Sequence, residues 1–233
     1  MANSARNKPG QENIDTSVPD GAEVLDKIQV SYEKNKNRIN GVVIAVVLVV
    51  AGYFGYQKLY QEPNNEKASS MMYFANKYML TDSVDKALNG DGQHKGYLAV
   101  IKKYGGTDAG NLSKYYAGVC YLKKGDSKNA IKYLEDFNGK GTLVEYSALG
   151  AIGDAHMNAG NTDKAIDFYK KAADKKDNAL HAPIYLFRAG LAYEKVNKPE
   201  EAKKLYKQIR DEYPQSQEAG KVVKQLAMLG ELE

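Results

Sequence analysis

The chain has 233 residues, with 33 Lys and Arg against 29 Asp and Glu for a net charge of +4, three histidines and one cysteine. A charge this near balance, carried in scattered pairs such as Lys102-Lys103, Lys123-Lys124, Lys170-Lys171 and Lys175-Lys176, argues against nucleic acid as a partner. Cys120 has no second cysteine to pair with, and His94, His156 and His181 fall in no metal-ligand spacing.

Residues 1–19 are rich in Asn, Ser, Gln and charge and poor in large apolar side chains, the composition of a disordered tail. Over 20–38, Asp20 and Glu23 have the spacing of a capping box. Val24, Leu25, Ile28 and Tyr32 then recur at helical intervals, which predicts a juxtamembrane amphipathic helix. From Ile39 to Tyr56 no side chain is charged and only Asn40 is strongly polar. As a helix this run covers roughly 27 Å, close to the hydrocarbon thickness of a bilayer, so a single transmembrane helix in contact with membrane lipid is predicted over 39–58. Tyr53, Tyr56 and Tyr60 lie where an interfacial aromatic belt belongs. Lys27, Lys34, Lys36 and Arg38 precede the run while Lys58 and Lys67 follow it, which puts the N-terminus and its tail in the cytoplasm and the rest of the chain on the far side. A cleaved signal peptide is the rival reading; 38 residues precede Ile39, however, and no convincing small-x-small site follows the run.

After the break at Glu62-Pro63-Asn64-Asn65, residues 64–233 are long enough to bury a continuous core. Three glycines, Gly118, Gly153 and Gly190, recur there at intervals of 35 and 37 residues, each opening the same pattern. The third residue on is Tyr121, His156 or Tyr193, and the seventh is Gly125, Gly160 or Asn197. The twelfth is Ala130, Ala165 or Ala202, and the sixteenth is Leu134, Tyr169 or Tyr206. Glycine and the large residue at i+3 share one face of a first helix, the seventh step falls in a turn that tolerates positive φ, and the alanine and the bulky residue after it belong to a second helix packed close to the first. Asp126 and Thr162 are candidate caps for second helices, Pro199 suits a first turn, and Pro214 stops the last unit. Upstream, 64–105 reads as a degenerate unit in which Ala75, Tyr78 and Ala87 keep the spacing. Its second helix is interrupted at Asn89-Gly90-Asp91-Gly92-Gln93 and resumes through Tyr97, Leu98, Ile101 and Tyr104. That interruption lacks the alternating acidic ligands and closing glutamate of a calcium loop and is read as a turn. Downstream, Val222, Val223, Leu226 and Leu229 form a stripe on a helix that caps the array.

This pattern resembles three tetratricopeptide repeats, at about 111–144, 146–179 and 183–216, although Lys114, Leu149 and Leu186 stand where the family has an early tryptophan. The resemblance implies an all-α chain: the transmembrane helix followed by a solenoid of about four helical hairpins with a C-terminal capping helix. It implies a surface for protein partners, with no catalytic residues, no cofactor, no metal and no small-molecule substrate. In its register, Gly118, Tyr121, Ala130, Gly153, His156, Ala165, Gly190, Tyr193, Ala202 and Pro214 are structural. The candidate peptide-binding groove is Leu112, Tyr115, Val119, Leu122, Met157, Ile184, Phe187 and Leu191. Such a row suits an apolar peptide or an amphipathic helix, or else the protein's own C-terminal helix.

The whole layout is similar to that of the bacterial YfgM-like proteins, ancillary subunits of the Sec translocon that work beside periplasmic chaperones. That similarity implies a single-pass protein of the bacterial inner membrane with a periplasmic repeat domain. Its implied partners are translocon subunits, a membrane-anchored chaperone and exported clients. A scaffold for cell-envelope assembly or division is the alternative.

Overall fold

A computed structural model describes residues 21–174 and 180–231. The tail over 1–19 and the proposed cap Asp20 lie outside the described residues, as do the last residues of the second repeat. The chain divides into two compact units, Met1–Gln57 and Lys58–Glu233.

In the first unit the described residues form one helix, α1 (Gly21–Tyr56), unbroken between its amphipathic and its apolar halves. Nothing between Gly21 and Tyr56 is proline, and Asn35 donates from its side chain to the Ser31 carbonyl four residues back at 3.0 Å, so the polar stretch before Ile39 does not interrupt the helix. Its large apolar side chains are exposed, Leu25 at 67% and Leu48 at 66% among them. The helical run that contains α1 is long and apolar enough to cross a membrane, and none of its apolar window is buried.

A π turn, Gln57–Gln61, leads into the second unit. Its helices are α2 (Glu62–Leu80), α3 (Val84–Asn89), α4 (Tyr97–Tyr104), α5 (Asp108–Lys123), α6 (Ser127–Glu135), α7 (Val144–Asn158), α8 (Thr162–Ala173), α9 (Ala182–Lys195), α10 (Pro199–Glu212) and α11 (Gln217–Met228). The fold is all-α, a solenoid of helical hairpins α5–α6, α7–α8 and α9–α10, with α2 to α4 before them and α11 after. Apart from α2, which packs on α4 and α5 as well as α3, each helix of this unit packs mainly on its neighbours in sequence, and among the described residues the buried side chains form four clusters along the stack. This is the quasi-linear order expected of a repeat array.

The recurring glycines explain how closely the hairpins close. A Cβ added at Gly118 would lie 2.5 Å from Cγ of Leu134, and one at Gly153 would lie 2.5 Å from Cε1 of Tyr169. Tyr206 crowds Gly190 in the same way. The residue sixteen steps on therefore covers the glycine directly, while Ala130, Ala165 and Ala202, all fully buried, let the helix bearing it approach. The residue at the third step stacks on the residue twelve positions after itself: Tyr121 on Tyr133 at 5.4 Å and His156 on Phe168 at 5.4 Å.

The turns are as regular as the helices. Gly125, Gly160 and Asn197 have φ of 76°, 80° and 55°, and Asp82 holds the same place after α2 with φ of 52°. In each turn the next residue donates its N–H to the carbonyl five residues back: Ser83 to Tyr78 at 2.8 Å, and Asp126 to Tyr121, Asn161 to His156 and Lys198 to Tyr193 at 2.9 Å. That is the hydrogen-bonding scheme of a Schellman ending. Helix α11 ends identically, with Gly230 at φ 79° and Glu231 donating to Leu226 at 2.9 Å. It has the terminus of a first helix as well as the place of a cap.

Capping follows the sequence in part. The Asp126 carboxylate accepts from the Asn129 N–H at 3.1 Å, and Pro199 opens α10. Thr162, expected as a cap, is instead the first residue of α8; Asn161 takes the cap position without a side-chain bond. Residues 90–96 separate α3 from α4, with Asp91 accepting from the Tyr78 hydroxyl at 2.5 Å and from the N–H groups of Gln93 at 2.9 Å and His94 at 2.6 Å. These bonds, that from Tyr78 foremost, hold the Asp91 carboxyl well below the usual carboxylate range. The His94 ring lies 3.5 Å from that of Phe74, fastening the insertion to α2.

Candidate partner-binding groove

The first helices α5, α7 and α9 carry the row of side chains expected to form a groove, and the structure sorts that row by depth. Leu112 packs on the N-terminal cluster of Met72, Tyr97 and Cys120. Tyr115, Val119 and Leu122 pack on Leu134, Ala151 and Ile152. Met157 and Ile184 border the cluster of Ile166, Tyr169 and Tyr185. Phe187 packs on the cluster of Tyr206, Val222 and Leu226, with the Lys221 ammonium 5.8 Å from its ring. Of the eight, Leu191 alone is exposed, at 40%. An open apolar row therefore becomes a set of half-buried seams between hairpins.

The physical reason is that neighbouring segments of the stack cover parts of this face. The Tyr115 ring meets Phe137 at 5.6 Å, the Tyr185 ring lies against Gly150, and Phe187 lies against α11. Among the described residues α11 packs on α9 and α10, so it closes the last step of the row and leaves the α5 and α7 steps uncovered by it.

Polar groups occupy the middle of the row. Asp154 accepts from the Tyr169 hydroxyl at 2.7 Å and from Nη1 of Arg188 at 2.5 Å, and the guanidinium also sits 5.7 Å from the Tyr185 ring centre. The Arg188 and Asp154 side chains remain 41% and 34% exposed. Burial, and next the bond to Asp154, push the Tyr169 hydroxyl pKa up, so the phenol stays a donor. Tyr185 and Arg188 are one residue on from Ile184 and Phe187, which the repeat register selects. The signal that could have found them is Gly150, a glycine on a face expected to bear side chains, which marks a ring lying across it.

His156 is 5% exposed, and its Nδ1 has no hydrogen-bond partner. Burial, with Lys164 adding to it against a smaller opposing effect of Glu135, lowers its pKa, so the folded site favours the neutral imidazole. Cys120 is fully buried with Sγ 3.3 Å from Sδ of Met79, and burial pushes its thiol pKa up to about 11. This is a packed thiol joining α5 to α2, in which burial outweighs the opposing charges of Lys123 and Lys124. No group of three or more His, Cys, Asp or Glu stands together to hold a metal ion among the described residues.

This geometry agrees with the family comparison. Tetratricopeptide-repeat models match residues 121–180 and 185–216, and the chain carries tetratricopeptide repeats over those stretches. Among solved structures, the crystal structure of MamA is similar at 22% identity with a TM-score of 0.50, covering 74% of this chain and 87% of that one. A crystal structure of nearly identical TPR-like repeats from a putative Podospora anserina kinesin light chain is similar at 15% identity with a TM-score of 0.51, covering 70% and 94%. At these identities the likeness shows the fold. No curated protein matches the chain by sequence. Repeats of this class suggest a scaffold for protein–protein interaction.

Proposed function

We propose that the chain is a non-enzymatic scaffold anchored in the bacterial inner membrane by residues 39–58, with its N-terminus cytoplasmic and its repeats periplasmic, where they bind other proteins beside the Sec translocon. The observation that carries the anchor is the uncharged, unburied apolar half of α1. The excess of Lys and Arg before Ile39 supports the orientation. The row from Leu122 through the Asp154–Arg188 pair to Leu191 offers apolar contacts flanking one ion pair. That mixture suits an amphipathic helix or an extended segment with an apolar stripe better than a free acidic peptide. Translocon subunits, a membrane-anchored chaperone and exported clients are the partners in this reading, because the layout of anchor and repeats is similar to that of the YfgM-like proteins.

The test places photo-crosslinking side chains at Leu122 and Leu191 in the full chain within intact cells. Adducts with translocon subunits or an exported chaperone support the reading, and adducts with cell-wall or division proteins move the scaffold to envelope assembly. Retention of the chain in carbonate-washed membranes, with protease reaching the repeats only from the periplasmic side, tests the anchor and its orientation separately.

A further inference from the structure

Helix α1 carries a second apolar feature that the anchor does not use. Before the span, Leu25, Ile28, Tyr32 and Asn35 follow one another at steps of three, four and three residues, and Ile39 continues the series four residues later. At 100° per residue these side chains lie on one face, while Asp26, Val30, Glu33 and Asn37 lie elsewhere. The apolar members stand in the open: Leu25 is 67% exposed, Ile28 60% and Tyr32 45%.

A bilayer surface is a poor cover for this face. An amphipathic segment lies flat on a membrane only if the chain bends where it meets the span, and α1 runs from Gly21 to Tyr56 without a break. With the apolar half crossing the bilayer, the preceding 21–38 segment projects from it by up to about 27 Å at about 1.5 Å per residue. Its stripe is then held in water, clear of the lipid.

We infer that this face is a parallel dimerisation seam, in which two copies of the chain pair α1 with α1 through Leu25, Ile28, Tyr32 and Asn35. The occupant follows from the anchor, so the inference rests on the membrane reading above. Two copies inserted the same way are held parallel and at the same depth, which brings each residue of the stripe opposite itself. The alternating steps of three and four residues are the heptad spacing of a two-stranded coiled coil, and they continue in register into the span at Val42, Val46, Val49 and Tyr53. Asn35 is the one polar member of the soluble part. A single asparagine at such a core position favours the arrangement in which it meets its own copy, fixing register at some expense of stability. Lys36, flanking the seam, makes an ion pair with Glu33 of its own helix at 3.1 Å, which offsets its repulsion from a second Lys36.

Variants of the full chain with one added cysteine, oxidised with copper phenanthroline in isolated membranes, test the seam; the buried Cys120 stays in place, and the unmodified chain gives the background. Disulfide-linked dimers are expected for Leu25→Cys, Ile28→Cys, Tyr32→Cys and Asn35→Cys, and only background for Asp26→Cys, Val30→Cys, Glu33→Cys and Asn37→Cys. Adding Ile28→Lys to Tyr32→Cys is expected to return its dimer to background. Equal yields in the two sets, no dimer in either, or adducts of another mass at the stripe would each overturn the inference. Carbonate washing of the same membranes separates the two readings. A chain that stays in the membrane without the periodic dimers refutes the seam alone, whereas a chain washed out refutes the anchor and the seam with it.

Discussion

The ring of Tyr169 fills the space that a side chain at Gly153 would need, since a Cβ there would stand 2.5 Å from Cε1. The ring is 3% exposed, and its hydroxyl is bonded to Asp154 at 2.7 Å, so it is fixed at both ends. Alanine ordinarily gains about 0.5–1 kcal/mol over glycine inside a helix, whereas overpacking against a rigid neighbour costs about 1–3 kcal/mol. The clash is expected to win. Gly153→Ala and Gly190→Ala should both lower the denaturation midpoint of the detergent-solubilised chain, while Lys128→Ala, exposed on α6, should change stability by no more than about 0.5 kcal/mol. Equal midpoints for Gly153→Ala and Lys128→Ala would mean that the ring moves freely.

His156 makes the second repeat sensitive to acid. Its folded-state pKa is lowered, chiefly by burial, so below about pH 6.5 the unfolded chain takes up a proton that the folded site resists. Stability present above that pH is expected to fall as the pH drops through about 6.5 toward the folded pKa. His156→Tyr, which installs the residue found at Tyr121 and Tyr193, should shrink the shift in urea midpoint between about pH 7.5 and about pH 5. A shift unchanged by the substitution would assign the acid sensitivity to other groups.

Phe187 and Leu191 belong to the same predicted row but should respond oppositely to charge. Phe187→Asp sets a carboxylate against Tyr206 and Val222 and is expected to cost about 2 kcal/mol or more, loosening α11 from the stack. Leu191→Asp, at an exposed position, should stay within about 0.5 kcal/mol while reducing crosslinked adducts from the groove. Far-UV circular dichroism melts read the first effect and adduct yield the second. A folded Phe187→Asp chain that has lost its adducts would return Phe187 to the binding surface.

Cys120 provides a probe of the seam between α2 and α5. Burial pushes its pKa up to about 11, so the thiolate is scarce near neutral pH, and the sulfur is fully buried as well. Alkylation by a maleimide is expected to be slow in the native chain and to accelerate with urea along the unfolding curve. Rapid labelling without denaturant would show that α2 parts from α5 under native conditions.

The repeat period was legible because its signals are local and redundant. A small residue where two helices meet, a turn residue seven steps on and a buried alanine at the twelfth step reinforce one another at Gly153, Gly160 and Ala165. The break in the degenerate unit was legible too, since Asn89-Gly90-Asp91-Gly92 suits no helix. The groove was harder to read. Whether Phe187 is open or covered depends on α11, which is remote in sequence, and the Asp154–Arg188 pair depends on the exact rotation of α9 against α7. The Tyr185 ring lies across Gly150, and a bare glycine does not name the side chain that covers it. Thr162 and Asn161, adjacent and both able to cap, could not be ranked by residue type.

The five turns with one hydrogen-bond pattern also say how such an array is organised as a thing that can grow. At each of them a single left-handed residue is followed by one whose N–H bonds the carbonyl five back, and at the four joints inside the array that donor is also the cap residue of the helix that follows. Each such joint thus ends one helix and starts the next within two adjacent residues. Length and sequence vary between the joints, as the insertion at 90–96 illustrates, while the hydrogen-bond pattern of these five does not. The recurring unit of this molecule is better described as the corner than as the helix.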